Sequence, residues 1–353
     1  MARLRPAERS GSWDARPRRR PGPAPTRAVP SGFWITPTEL AALPMSGSPW
    51  SLVAAQSNPG VLADVSDQNS THDTKTMGCA LYAARSGNAT ARTNALAALT
   101  AAIGTETGTR WLSVGRNMTA YIIAADVLGI RSGPIYDWIA SFKTKLLMHD
   151  NTSDMIPLRS AAWSAGSNAN AQEGAVHAAM ACYTGDRAEL DWGWVAFRRY
   201  LGDRTSTHAP FTSNDDTWQE VPAYPVGIQN QGATASGILI DGAISNDVSR
   251  GGTLAWPPVW SQYPWVGLEG AVPAAHIYAR AGYPAWTMMN SALRRAADFL
   301  IRAKDDSGDD AWYDTTRAPE IKHMLNKVYG LGYPEGPCIA TSRTVSYTDW
   351  TMP

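Results

Sequence analysis

Apolar residues recur at helical spacing along most of the chain. Between residues 76 and 147 they fall three or four apart: Met77, Leu81 and Tyr82; Leu96, Leu99 and Ile103; Tyr121, Ile122, Ala125 and Leu128; Trp138, Ile139, Phe142 and Leu146. That period predicts helices packed by one face on a core. It resumes across residues 171–183, 190–201, 263–281 and 286–303, and a last helix is expected over 320–329. Near the start of the folded part, residues 35–40 offer a cap and a short helix, followed by a Gly/Ser/Pro break at 46–49.

Several of these stretches stop the same way. Ala84-Arg85-Ser86-Gly87, Cys182-Tyr183-Thr184-Gly185, Arg199-Tyr200-Leu201-Gly202 and Ala279-Arg280-Ala281-Gly282 each end on glycine. Glycine just past a last turn closes a helix in the left-handed conformation. Alternation of the strand kind is scarce. The pattern therefore predicts an all-α fold of antiparallel helix pairs, roughly ten helices, too many for a four-helix bundle. An incomplete toroid of helical hairpins, with loops gathered over one end, fits that count.

Residues 202–264 break the rhythm. The segment is long, irregular and dense in Asn, Asp, Gln, Trp and Gly. Long irregular segments in compact domains are functional or disordered. Trp218, Tyr224, Trp256, Trp260, Tyr263 and Trp265 argue for order and suggest a sugar groove. Indoles and phenols stack on the apolar faces of pyranose rings, and amides hydrogen-bond hydroxyls.

Charge divides the chain. There are 31 Lys and Arg against 31 Asp and Glu, yet residues 1–27 carry a net +6 and the remainder −6. Residues 1–32 read as a disordered, basic Pro/Arg-rich leader, and residues 33–353 as one catalytic domain. No apolar core of a signal peptide precedes Phe33, although low charge and many Trp suit a secreted or periplasmic protein. No run of 18 apolar residues is present, so no membrane span is expected. The acidic body argues against nucleic-acid binding. Cys79, Cys182 and Cys338 have no metal-type spacing and allow at most one disulfide.

Four elements could carry chemistry. Ser167-Asn168-Ala169-Asn170-Ala171-Gln172-Glu173 opens a helix; a cap explains one of its polar residues, not all. His208 lies in the loop-rich segment, whereas His149 is expected to end a helix and His72, His177, His276 and His323 lie before or within helical stretches. Arg250-Gly251-Gly252 presents a guanidinium whose planar fork matches a carboxylate. Tyr263 stands at the mouth of the helix that runs to Ala281. Gln219 and Arg204 complete the candidate polar lining, with Asn170 and Gln172.

Taken in order, these residues resemble the α/α-toroid polysaccharide lyases, above all the alginate-lyase and glucuronan-lyase type. The resemblance spans about residues 38–350. It rests on Glu39-Leu40-Ala41-Ala42-Leu43-Pro44 with Trp50, on Ser167-Asn168-Ala169-Asn170, on Asp241-Gly242 through Arg250-Gly251, on Tyr263 with Gly267-Leu268-Glu269-Gly270-Ala271-Val272, and on Tyr329-Gly330 and Tyr333-Pro334. The chain departs from the family at Asn168-Ala169, where alginate lyases have Asn followed by His. Trp256 is the alternative match to the family's tyrosine.

The resemblance implies β-elimination on an acidic polysaccharide, with no metal or other cofactor. Asn168 and Arg250, helped by Asn170 or Gln172, would neutralise the uronate carboxyl group so that H5 becomes removable. His208 or Tyr263 would be the base, and Tyr263 the acid. Local arginines, Arg198, Arg199, Arg204 and Arg250, would make the groove positive. Two rivals stand beside this. A glycoside hydrolase would need a carboxylate pair from Asp215, Asp216, Glu220 and Glu269. A non-catalytic carbohydrate-binding protein would need none.

Overall fold

The computed structural model describes residues 32–106, 108, 110–149, 153–207, 211–213, 215–339 and 343–352. Residues 1–31 of the leader and His208 lie outside the described residues. The protein is mainly helical, as the spacing predicts. Short helices α1 (Pro37–Ala42) and α2 (Gly47–Ala54) come first. Then follow α3 (His72–Ser86), α4 (Ala89–Ala102), α5 (Trp111–Val127) and α6 (Pro134–Ser141). A hairpin of β1 (Leu146–Met148) and β2 (Met155–Pro157) leads into α7 (Leu158–Ala161), α8 (Asn168–Thr184) and α9 (Arg187–Tyr200). After a small ladder of β3 (Thr234–Ala235) and β4 (Ile238–Leu239) come α10 (Ser245–Val248), α11 (Tyr263–Arg280), α12 (Met288–Ser307), α13 (Pro319–Tyr329) and α14 (Thr348–Thr351).

Local chemistry explains the boundaries. Thr36 and Glu39 form a reciprocal capping box at α1. Gly87 and Gly185 close α3 and α8 at φ 71° and 72°. Two expectations change. Residues 46–49 start a helix rather than break one, because proline is tolerated in a first turn, where its missing N–H costs nothing. Leu146 belongs to a strand, and His149 follows that strand instead of ending a helix.

Helices α5, α8 and α11 are buried on nearly every side and form the centre, with α3 packed against α5. Close packing there depends on missing side chains. A Cβ on Gly270 would come within 2.4 Å of the Ala171 carbonyl carbon and the Gln172 nitrogen on α8. One on Gly115 of α5 would meet Glu173 Oε1 at 2.8 Å. The beginning and end of the described chain meet across the fold. Trp350 Nε1 donates to the Pro44 carbonyl at 2.9 Å, and Arg280 pairs with Glu39 at 2.8 Å. All three cysteines are buried and free. Among the described residues no helix is long and apolar enough to cross a membrane.

Candidate active site

The start of α8 is held from two sides. Ser167 caps it, with Oγ accepting from Asn170 N at 3.5 Å. Asn170 Nδ2 in turn donates to the Ala161 carbonyl at 2.7 Å and to Ser164 Oγ at 3.0 Å, so this amide braces the preceding loop. Asn168 donates from both its backbone N and its Nδ2 to Asp247 Oδ1, each at 3.0 Å. Asp247 lies on α10 and is only 1% exposed. Burial pushes its carboxyl up to about 7 even though the two Asn168 bonds favour the charged form. Gly267 makes room for it, since a Cβ there would lie 2.5 Å from Asp247 Oδ2.

The same short helix also sets the start of α11. Ser261 Oγ donates to the Asp247 carbonyl at 3.0 Å and accepts from Tyr263 N at 3.3 Å. Three residues beyond Asp247, the Arg250 guanidinium stacks 4.3 Å from the Tyr263 ring centroid. One buried turn therefore orients Asn168, Tyr263 and Arg250 together, although 79 residues separate Asn168 from Asp247 in sequence.

These three residues line one cleft of about 500 Å³. The start of α5 lines it as well, with Arg110, Trp111, Leu112 and the buried Arg116. Arg110 bridges to Met148 at the end of β1, which brings His149 into the cleft. The imidazole packs on Trp111 with centroids 4.2 Å apart. Arg343, Gln262, Gln68 and Asn69 complete the rim. Among the described residues the lining holds four arginines, one histidine and one tyrosine, and no carboxylate. The N-terminal ends of α5, α8 and α11 all reach it, and helix N-termini favour anions. The cleft suits an anionic ligand although the body of the chain is acidic.

Other candidates lie elsewhere. Gln172 is fully buried and donates to the Val266 carbonyl at 3.4 Å. Trp218 is buried and donates to the Gly252 carbonyl; Trp265 is buried and donates to the Trp312 carbonyl. Gln219 is buried between Val226 and Gln229. Trp256 bonds Asp306 and stacks on Arg302, outside the cleft. Tyr224 and Trp260 are exposed but do not line it. Arg198 pairs with Asp203, Arg204 pairs with Glu220, and Arg199 donates to the Pro225 carbonyl at 2.7 Å. Of the expected aromatic and arginine residues, only Tyr263 and Arg250 therefore line this cleft; Trp218 and Trp265 are buried, and Tyr224 and Trp260 are exposed elsewhere. Asp215, Asp216, Glu220 and Glu269 also stay out of the cleft lining.

Sequence reasoning missed Arg110, Arg116, Arg343 and His149. One signal was present: Arg116-Asn117 interrupts a largely apolar helix, and a charge buried in such a helix needs a reason. Nothing local marked the other three. No family model, curated protein or solved structure matches the chain, so the chemistry of the cleft itself must carry any functional reading.

Proposed function

We propose that the protein is a polysaccharide lyase that cleaves a uronic-acid-containing polymer by β-elimination. The lining of the cleft carries this reading: arginines, an asparagine, a tyrosine and a histidine meet there without a carboxylate among the described residues. A uronate bound with its carboxyl group toward the arginines would have its charge neutralised, which acidifies H5. Asn168 is pre-positioned by Asp247, so its amide pays little reorganisation on binding. His149 takes H5, and Tyr263 protonates the leaving oxygen on C4. His149 thereby fills the role that the sequence left between His208 and Tyr263. Arg250 keeps the phenol ring in place by stacking on it.

The toroid reading belongs to this proposal. The first residues of α5, α8 and α11 all border one cleft, and the chain passes through other elements between each of them, which supports it. An α/α toroid with its site at one end would bring its central helix starts together in this way. A polymeric substrate of this size is met outside the cell, which favours an extracellular or periplasmic location. A glycoside hydrolase finds less support, because its two carboxylates would have to face the bond being cut. The test is incubation with alginate, glucuronan, pectate and glycosaminoglycans. Elimination leaves a C4=C5 double bond conjugated to the carboxyl group, which absorbs in the ultraviolet. Hydrolysis gives new reducing ends without that chromophore. Absence of the chromophore with all of these polymers, and with polymers that alternate uronate and neutral sugar, would sink the proposal.

A further inference from the structure

A second chamber of about 350 Å³ adjoins the cleft and shares Gln262 and Arg343 with it. Its charge is different. Glu269, Asp314 and Glu320 line it, against Arg317 and the shared Arg343. Glu269 lies on α11, six residues beyond Tyr263. Its side chain is nine-tenths buried: the residue is 8% exposed, and Oε2 has no hydrogen-bond partner among the described residues. A buried acceptor left unsatisfied is costly unless a ligand completes it.

The facing wall is built to stay in place. Lys322 is fully buried and donates to the carbonyls of Asp314 and Arg317, tying the loop down from beneath. Arg317 reaches Gln262 Oε1 at 3.1 Å at the boundary between the two spaces. The Trp260 indole lies 5.7 Å from the Arg317 guanidinium, so the exposed indole expected to serve a sugar stands beside this chamber rather than the first.

We infer that this chamber is a second sugar subsite for a unit without a carboxylate, and that Glu269 selects it by accepting a hydroxyl hydrogen bond. This deepens the lyase reading and rests on it: the uronate occupies the arginine cleft, and its neighbour in the polymer occupies the chamber. Burial raises the Glu269 carboxyl, opposed by Arg343, Arg116, Arg317 and Lys322. A second uronate placed against it would put two carboxyl groups side by side, where both cannot stay ionised. A neutral sugar meets no such obstacle and supplies the donor that Oε2 lacks. The substrate class is therefore a heteropolymer of uronate and neutral sugar, not a homopolyuronate.

The test uses two oligosaccharides of equal length, one all uronate and one alternating uronate with neutral hexose. Binding is measured by calorimetry and turnover by ultraviolet absorbance. The alternating ligand should bind at least about tenfold tighter, the worth of one hydrogen bond to a charged group. Glu269→Gln should bring the two affinities together while the melting temperature reports an intact fold. Equal or tighter binding of the all-uronate ligand by the parent protein overturns the inference without any variant. An unchanged ratio in a folded Glu269→Gln protein overturns it too. Turnover of the all-uronate ligand alongside either result would leave the lyase reading standing. Tighter binding of the alternating ligand without turnover of either would support the subsite and remove the lyase reading.

Discussion

Asp247→Asn isolates the energetics of the turn that organises the cleft. The parent carboxyl titrates at about 7 in the folded protein, against an ordinary 3.8. The folded state holds its proton more tightly than the unfolded state does. The stabilisation is therefore complete below the unfolded value and is lost as pH rises from there through the folded value. The shift corresponds to about 4 kcal/mol in total, of which about 2–3 kcal/mol falls between about pH 5 and about pH 8. Asparagine keeps the Oδ1 acceptor for both Asn168 donors but cannot ionise. Any loss at the Oδ2 position shifts the variant's curve equally at every pH and leaves its slope alone. Urea unfolding of both proteins across that range should show the variant gaining on the parent by that amount as pH rises. Parallel curves would refute the assignment of the buried charge to Asp247.

Tyr263→Phe keeps the ring under Arg250 and removes only the hydroxyl, so turnover should fall about 100-fold or more with little change in oligouronate affinity; retained turnover would displace Tyr263 from the reaction. His149→Gln should lower kcat by a similar factor of about 100 and leave binding intact, whereas a loss confined to KM would make His149 a binding residue. Gly270→Ala should cost about 3 kcal/mol or more, read as a drop in melting temperature, because the added methyl group meets the α8 backbone. A melting temperature equal to the parent's would mean that α8 and α11 can separate there.

What the sequence disclosed was what local chemistry decides. The capping box at Thr36 and Glu39 and the glycine stops at Gly87 and Gly185 are made within a few residues, and so they can be read from a few residues. Asn168, Arg250 and Tyr263 stood out because polar or aromatic residues at a helix start or a glycine turn have few packing roles. The Trp cluster misled for the converse reason. An indole packs a core or a groove equally well, and only the tertiary fold buries Trp218 and Trp265 while leaving Trp260 exposed. His149 was hidden by a three-residue hairpin strand too short to show alternation. Arg343 reaches the cleft from near the end of the chain, a proximity no local window contains.

The bond from Trp350 to Pro44 spans 306 residues. During synthesis the first helices leave the ribosome long before their final neighbours exist. This bond forms only when the last described turn docks against the start of the fold. Closure across so long a span of sequence is thus a late event in folding. Holding factors during translation should matter more to the yield of this protein than to that of a helical bundle built from local pairs.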